Sequence, residues 1–128
     1  MRTLFRIYFL LPLLFLTAIP LQAQTGRFYS TEKGLSSSLI NQLFQDSKGY
    51  VWAATEYGLN RFDGLRFANY WHVTGDSVSI RNNYVRTLYE DNELTLFIGC
   101  IDGLMKYDRD TDTYRTIPMI RAGKQVFP

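Results

Sequence analysis

The alternation of hydrophobic and polar positions divides the chain into short apolar stretches that end at glycine or aspartate. The segment Asp46-Ser47-Lys48-Gly49 predicts a chain reversal, because Asp bonds its own downstream backbone and Gly accepts a positive φ. Asp63-Gly64 is a dipeptide that favours a hairpin. Residues 50–55 are apolar nearly throughout, as in a strand that is buried on both faces. The pattern predicts four strands, at residues 39–44, 50–55, 59–62 and 66–71, and no helix after Gln24.

The same pattern recurs 45 residues later, so that residues 38–63 align with residues 83–108 without a gap. The second copy predicts strands near residues 84–89, 95–99, 104–107 and 113–117. Its first turn differs, because Leu94 stands where the first copy has Gly49, and we expect Asn92 to take the left-handed conformation there. The identical pairs are Leu43/Leu88, Asp46/Asp91, Gly58/Gly103, Leu59/Leu104 and Asp63/Asp108.

A four-stranded unit that repeats about every 45 residues is typical of a β-propeller blade. Blades pack between neighbours, which accounts for strands that are apolar on both faces and for polar residues concentrated at turns. The alternative architectures are a two-sheet sandwich and a solenoid. We predict an all-β chain whose four-stranded antiparallel sheets are propeller blades.

The N-terminal segment has the layout of a secretory signal peptide. Arg2 and Arg6 precede an apolar run at residues 7–19, and Ala23 offers a small residue at a plausible cleavage point. The run is shorter than the roughly 20 residues that a membrane-spanning helix needs, although an uncleaved anchor is the alternative. Without Arg2 and Arg6, the basic residues (14 in the whole chain) balance the 12 acidic ones, so no charge pattern favours nucleic-acid binding.

The predicted organisation is a signal peptide at residues 1–23, a lead strand and linker at 24–37, blade 1 at 38–82, a degenerate blade 2 at 83–120, and the start of a further blade at 121–128. Two blades cannot close a ring, and each leaves apolar faces uncovered. We therefore expect the chain to be a fragment of a longer protein. In a closed ring, residues 28–30 are placed to complete the last blade.

The residues do not form a pattern that is typical of catalysis or of metal binding. His72 is the single histidine and lacks the partners of a catalytic triad or a zinc site. Cys100, the single cysteine, lies in an apolar run, which predicts a buried thiol. The aspartates recur at equivalent turns, which favours turn capping over calcium binding. We expect no enzymatic activity in this segment, no cofactor and no metal.

The first copy resembles the two-component regulator propeller repeat. The resemblance rests on residues 34–38, 46–52 and 55–64, which are similar to the family's Gly-Leu-Ser, Asp-Ser-x-Gly-x-x-Trp and Gly-Leu-Asn-Arg-Tyr-Asp-Gly segments. The chain departs from the pattern at Ala54, where the family usually has Gly, and the second copy has Phe97 and Arg109 in place of the Trp and the last Gly. The blade-motif residues are Asp46, Gly49, Trp52, Gly58, Leu59, Asp63, Gly64, Asp91, Gly103, Leu104 and Asp108.

The resemblance implies about two blades of an incomplete seven-bladed propeller, in the periplasmic part of a hybrid two-component histidine kinase anchored in the inner membrane. Family members include oligosaccharide sensors, so the implied role is a non-catalytic ligand sensor in polysaccharide utilisation, with the kinase outside this sequence. The implied partners are the remaining blades, an oligosaccharide and a second subunit of a homodimer. The alternatives are part of an exported propeller enzyme that acts on polysaccharide, or a truncated product without function.

Ligand contacts in propellers often come from loops on one face. Tyr57 and Asp102 occupy equivalent turns on such a face, and the connection at residues 72–82 is long. Trp71, at the end of an outer strand, is a candidate platform for a sugar ring, whereas Trp52 lies inside an apolar strand and is assigned to the core. The candidate ligand-binding residues are therefore Tyr57, Asp102 and Trp71.

Overall fold

The computed structural model describes residues 26–121 and 124–125, so the predicted signal peptide at 1–23 lies outside the described residues. The first sheet contains β1 (Ile40–Gln45), β2 (Val51–Thr55), β3 (Gly58–Phe62) and β4 (Phe67–Tyr70). The second sheet contains β5 (Val85–Glu90), β6 (Leu96–Cys100), β7 (Gly103–Asp108) and β8 (Thr113–Ile117). A short hairpin of β9 (Ile120–Arg121) and β10 (Lys124–Gln125) follows. The prediction of two four-stranded antiparallel sheets is confirmed, and we call them blade 1 and blade 2.

The two blades share their strand order, their register and an irregularity in the first strand. Each sheet runs in chain order, with every neighbouring pair antiparallel. The pairing of β1 with β2 shifts between Ile40 and Gln42, and the pairing of β5 with β6 shifts between Val85 and Thr87, 45 residues later. Such a bulge bends a strand and increases its twist. The repeat in the sequence is therefore a repeat of backbone geometry.

Within the described residues, no helix is long and apolar enough to cross a membrane. The single helical element of residues 26–121 is a turn of 3-10 helix at Thr31–Lys33, which ends at Gly34 with a φ of 101°. Residues 26–30 form no strand, in contrast to the predicted lead strand. The Tyr29 ring instead packs edge-on against Phe62 and Phe67, at centroid distances of 4.8 and 5.7 Å.

The turn between β5 and β6 differs from its prediction. The left-handed residue is Leu94, with a φ of 62°, and Asn92 is not left-handed. Leu94 occupies the position of Gly49, whose φ is 87°. The backbone of this turn is thus the same in both blades, although a leucine adopts it at a steric cost that glycine avoids. The Asn92 prediction was wrong because the local preference of asparagine is weaker than the turn geometry set by the two flanking strands.

The hydrophobic core lies between the two blades. Trp52 and Leu59 of blade 1 are fully buried against blade 2, which confirms that Trp52 belongs to the core. Cys100 is also buried, as its apolar surroundings predicted. Ile80, from the connection between the blades, is fully buried in the same cluster. The blade 2 members of this cluster are Val85, Leu88, Leu96, Ile98, Cys100, Met105, Tyr107 and Tyr114.

The innermost strands are joined by a side-chain amide. Gln42 accepts a hydrogen bond from the Leu88 backbone N–H at 2.8 Å and donates one to the Leu88 carbonyl at 3.1 Å. Asn41, at the bulge, donates to the Val85 carbonyl at 2.7 Å. Strand β5 is an edge strand of its sheet, so its backbone groups on the side away from β6 have no strand partner. The side chains of Gln42 and Asn41 provide hydrogen-bond partners for these groups. These hydrogen bonds hold the innermost strands of the two blades together.

The outward faces of both blades stay apolar and partly exposed. Alternate residues of a strand point to opposite faces of its sheet. The blade 1 residues that face blade 2 have equivalents 45 residues later in the chain, and these equivalents lie on the face of blade 2 that points away from blade 1. Phe97, the equivalent of Trp52, stacks there on Tyr89, which is 61% exposed. On the opposite outer face, Leu43 of blade 1 is 62% exposed. Each sheet is therefore apolar on both faces, as the sequence pattern predicted.

The paired glycines of the motif share a register position and differ in backbone conformation. Gly58 and Gly103 each pair with the last residue of the preceding strand. Gly58 has a φ of 115°, and an added Cβ would lie 2.9 Å from the Tyr70 carbonyl oxygen. Gly103 is outside the left-handed region, and its Cβ would meet the flexible Arg81 side chain at 3.1 Å. The first position therefore requires glycine for two reasons, and the second depends mainly on side-chain space.

Candidate functional site

The recurring aspartates cap the turns of each blade. Asp46 Oδ1 accepts hydrogen bonds from the backbone N–H groups of Lys48 and Tyr50, each at 3.0 Å. Asp91 Oδ1 does the same for Glu93 and Thr95, each at 2.9 Å. Asp63 and Asp108 cap the turns after β3 and β7 in the same way. These bonds satisfy turn N–H groups that have no strand partner.

Asp46 also anchors an ion-pair cluster between the blades. Its Oδ2 accepts hydrogen bonds from Trp52 Nε1 at 2.9 Å and from Arg109 Nη1 at 2.8 Å, and the carboxylate is fully buried. Arg109 also contacts Glu90, whose Oε2 accepts the Ser47 N–H at 2.8 Å. Burial alone would raise the pKa of Asp46, but the hydrogen bonds from Arg109 and Trp52 outweigh it and lower that pKa.

Sequence reasoning missed this cluster. Arg109 occupies the position that Gly64 has in blade 1, and it was noted only as a departure from the motif. The structure shows that this departure creates a contact from blade 2 to the Asp46 turn of blade 1. The signal available in the sequence was an arginine at a turn position where blade 1 has glycine.

A second polar cluster lies among the aromatic rings at the outer part of the interface. The Arg61 guanidinium lies over the rings of Tyr50, Trp52 and Tyr70, at 5.0, 5.6 and 5.6 Å from their centroids. Asp112 Oδ1 accepts hydrogen bonds from Tyr70 at 2.9 Å, from Arg61 Nη1 at 3.2 Å and from Tyr107. Tyr107 Oη also contacts Arg61 Nη1. One carboxylate of blade 2 thus holds an arginine and a tyrosine of blade 1.

The tyrosines of this cluster are held in their neutral form. Burial, followed by the hydrogen bond to Asp112, raises the pKa of Tyr107 to about 12. Burial likewise raises the pKa of Tyr70 and, well above its usual value, that of Tyr114. A phenolate in this position would lie beside Asp112 in a poorly hydrated site, which disfavours ionisation.

The raised tyrosine pKa values predict a loss of stability at alkaline pH. A group with a higher pKa in the folded chain stabilises fully below its unfolded value, here 10.0, and loses that contribution as pH rises towards about 12. We expect the unfolding temperature to fall between about pH 10 and about pH 12 and to fall less in Tyr107→Phe. Burial raises the pKa of the Cys100 thiol from 9.0 to about 11, so this group titrates over an overlapping range, and it is common to both proteins. Equal decreases in the two proteins would contradict the prediction.

The connection between the blades is held by its own hydrogen bonds. Ser79 Oγ accepts the Val73 N–H at 3.0 Å and donates to the Asp76 carbonyl at 3.0 Å. His72 Nδ1 hydrogen-bonds to the Ile80 carbonyl at 2.9 Å, so that nitrogen carries the proton. The Tyr114 N–H donates to the Val78 carbonyl at 2.9 Å, which ties the connection to strand β8. A loop fixed in this way can present side chains in a defined geometry.

Two depressions flank this connection. One, which we call the rim groove, has a volume of about 310 Å³ and runs between strand β4, the connection and strand β8. Its lining residues are Asn69, Tyr70, Trp71, Val73, Asp76, Val78, Ser79, Ile80, Asp112, Thr113 and Tyr114. The other has a volume of about 360 Å³ and is lined by polar residues that include His72, Arg81 and Asp102. Their volumes are at the lower end of ligand pockets.

The three candidate ligand-binding residues do not lie in one depression. Trp71 is 44% exposed and lines the rim groove. Asp102 lies in the second depression, 3.6 Å from Arg81 Nε. Tyr57 is 63% exposed in the β2–β3 turn and lines neither depression. Asn69 and Tyr114, which the sequence did not single out, join Trp71 in the rim groove because strands β4 and β8 bring them there.

The described part of the chain contains no candidate metal site. Residues 26–121 and 124–125 contain no group of three or more His, Cys, Asp or Glu side chains that could hold a metal ion.

Comparison with known families assigns blade 1. Residues 34–57 match the family described as two component regulator propeller, a segment that contains the Asp46 turn, Trp52 and strands β1 and β2. This segment of blade 1 is therefore similar to the two component regulator propeller repeat. The match confirms the resemblance noted in the sequence, and the bulge shared by β1 and β5 shows that blade 2 repeats the same geometry.

Proteins similar to this chain include a histidine kinase and the extracellular domains of putative hybrid two component systems. Histidine kinase P4 of Formosa agariphila is 40% identical over 67 residues, which is 49% of this chain and 5% of that protein. The extracellular domain of the putative hybrid two component system BT3049 from B. thetaiotaomicron is 31% identical, with a TM-score of 0.67, over 77% of this chain and 14% of that chain. The corresponding domain of BT4673 is 25% identical, with a TM-score of 0.63, over 80% and 15%. The chain thus spans a small part of each relative.

Proposed function

We propose that this chain supplies two blades of a non-catalytic propeller that senses an oligosaccharide outside the cytoplasm, as part of a hybrid two-component sensor. The observation that carries the proposal is the likeness to the extracellular domain of the BT3049 hybrid system, at 31% identity and a TM-score of 0.67. The repeat match at residues 34–57 and the kinase relative point in the same direction. An extracellular site also agrees with the predicted signal peptide.

The expected partners are further blades of the same kind. Blade 2 covers one face of blade 1, and the equivalent face of blade 2 carries Tyr89, Phe97, Leu104 and Ile117. An apolar sheet face of this type is stabilised when another sheet covers it. A third blade that stacks on this face would repeat the contact that Trp52 makes in the present interface.

A saccharide ligand agrees with the chemistry around the connection between the blades. Trp71 offers an exposed aromatic face, and the neighbouring side chains are amides, hydroxyls and carboxylates. These groups fit a ligand that has apolar C–H faces and many hydroxyls. Because the connection touches both blades, a ligand bound there would change how the blades pack. Such a change is the physical step that a sensor passes on to a kinase.

The proposed function is tested by displaying the full chain against an array of neutral and acidic oligosaccharides. We expect selective binding of one structural class of glycan, which is lost in Trp52→Ala because that variant disrupts the interface between the blades. The absence of binding to every glycan on the array would contradict oligosaccharide sensing. Equal binding of all glycans by the wild type and the variant would contradict it as well.

A further inference from the structure

The face of blade 2 that points away from blade 1 combines apolar and cationic side chains. The strand register puts two rows of side chains on this outward face, which are Tyr89, Phe97, Lys106 and Arg115 in one row and Leu104 and Ile117 in the next. The same register positions of blade 1 form the face that blade 2 covers. The outward face is therefore built to receive another sheet.

Two charged contacts hold blade 2 on the covered face of blade 1, and both come from the turn between β7 and β8. Arg109 Nη1 donates to Asp46 Oδ2 at 2.8 Å. Three residues later, Asp112 Oδ1 accepts a hydrogen bond from Arg61 Nη1 at 3.2 Å and one from the Tyr70 hydroxyl at 2.9 Å. One turn thus supplies a cation to an acid of blade 1 and an acid to a cation of blade 1.

The acid of the first contact recurs on blade 2 without a partner from another blade. Asp91 lies 45 residues after Asp46 and uses Oδ1 to cap its turn. Among the described residues, no hydrogen bond uses its Oδ2. Phe97 also lacks the N–H that Trp52 donates at the equivalent place. Asp91 Oδ2 is therefore open to a donor from a covering blade.

The cation of the second contact recurs as well. Lys106 lies 45 residues after Arg61, and the described part of the chain provides it with no ion pair. Its register partner on β8 is a second cation, Arg115, whose side chain is 64% exposed and lies 3.5 Å from Asp108. A covering sheet would desolvate these charges, so it must bring a carboxylate to them.

Blade 1 does not carry the groups that this face requires. Gly64 stands in the place of Arg109, and the turn between β3 and β4 is two residues shorter than the turn between β7 and β8. The shorter turn carries Leu65, which is 83% exposed, and Arg66, which has the same charge as Lys106. A second copy of the chain could offer only this blade, because its blade 2 is already covered by its own blade 1.

We propose that the outward face of blade 2 binds a further blade of a longer polypeptide, whose turn between its third and fourth strands carries an arginine and an aspartate spaced as Arg109 and Asp112 are. The arginine pairs with Asp91 and the aspartate with Lys106. The inference rests on the proposed function for the presence of further blades, and it adds the chemistry of the neighbour. Opposite charges at two points distinguish the correct neighbour from repeats of similar shape.

The test compares two three-blade proteins that both contain every residue of the chain. In the first, residues 1–117 are followed by residues 71–128, so that the last blade is a copy of blade 2 with its own connection. In the second, a copy of residues 26–70 is inserted after residue 117, so that the last blade is a copy of blade 1. We expect the first protein to unfold at a urea concentration about 1 M higher than the second, because its last blade brings both charged groups.

Variants of the first protein test each charged pair by a double-mutant cycle. Asp112→Asn in the last blade should lower the urea midpoint by about 0.5 M, and should lower it much less when the middle blade carries Lys106→Met. Arg109→Ala in the last blade should likewise have a smaller effect when the middle blade carries Asp91→Asn. The asparagine at position 91 keeps the Oδ1 that caps the turn, so the cycle isolates the contact between blades.

Each contrary outcome has a defined meaning. Equal midpoints for the two proteins, or losses at Asp112 and Arg109 that do not depend on the middle blade, would overturn the selection by charge. A first protein that resists urea no better than the full chain would overturn the docking itself. Self-association of the full chain in sedimentation velocity, if Tyr89→Asp abolished it, would show that a second copy occupies the face and would contradict the proposal. None of these measurements involves a glycan, so a silent glycan array would contradict oligosaccharide sensing alone.

Discussion

Replacing Trp52 by alanine is expected to lower the free energy of unfolding of the chain by about 4 kcal/mol, as for other buried tryptophans. Trp52 is completely buried between the blades, and its ring stacks on Tyr70 and meets Tyr107 edge-on. The substitution removes these contacts and leaves a cavity in the interface. It also removes the indole N–H that donates to Asp46. The measurement is urea denaturation followed by circular dichroism.

Phe97→Ala is the matched control for this prediction. Phe97 has the same position in blade 2 as Trp52 has in blade 1, but it lies half-buried on the outward face. We expect the free energy of unfolding to fall by about 1 kcal/mol, because folding buries less apolar area at Phe97 than at Trp52. Equal losses at the two positions would show that the buried interface between the blades does not provide the main stabilisation. That result would also weaken the assignment of Trp52 to the shared core.

Asp46→Ala is expected to lower the free energy of unfolding by about 3 kcal/mol, the cost of breaking a buried and hydrogen-bonded ion pair. The substitution leaves the Trp52 indole N–H without its acceptor and Arg109 without its partner in blade 1. Because the pKa of Asp46 is lowered in the folded chain, its contribution is present above the unfolded value of 3.8 and is lost as pH falls below it. The difference between wild type and variant should therefore shrink in acid.

Asp91→Ala tests whether this loss comes from the interface or from the turn. Asp91 caps the equivalent turn of blade 2 through two backbone N–H groups, as Asp46 does through Lys48 and Tyr50. We expect Asp91→Ala to cost about 1 kcal/mol, the usual value for lost turn hydrogen bonds. A cost at Asp91 as large as that at Asp46 would place the stabilisation in the turn itself. The double variant of Trp52 and Asp46 should cost less than the sum of the single changes, because the two residues share a hydrogen bond.

The strands were predictable because each depends on residues that are close in the chain. The Asp-Ser-Lys-Gly turn before β2 and the Asp-Gly hairpin after β3 both place a chain reversal between apolar stretches, and the observed strands differ from the predicted ones by about one residue at their ends. The same local signals predicted the second blade although several of its turn residues differ. The exception was Leu94, whose conformation is imposed by the strands on either side of it.

The rim groove could not be predicted in the same way. Trp71 was named from its place at the end of an outer strand, but Asn69 and Tyr114 were not, because nothing in the local sequence shows that they line the same depression. That property depends on how strand β8 packs beside strand β4. Tyr57 and Asp102 were grouped because they occupy equivalent turns. Equivalent turns belong to different blades, however, so the two residues do not lie in one depression.

The sequence alone determined the strands, the repeat and the apolar character of both faces of each sheet, because turn chemistry and the period of two act over a few residues. The tertiary structure decided which residues meet across the interface between the blades. Arg109 on Asp46, Arg61 on Asp112, and Tyr70 beside Tyr114 are pairs more than 40 residues apart. Their contacts depend on the angle between two sheets, which is set by the packing of the whole interface and is not encoded in any single segment.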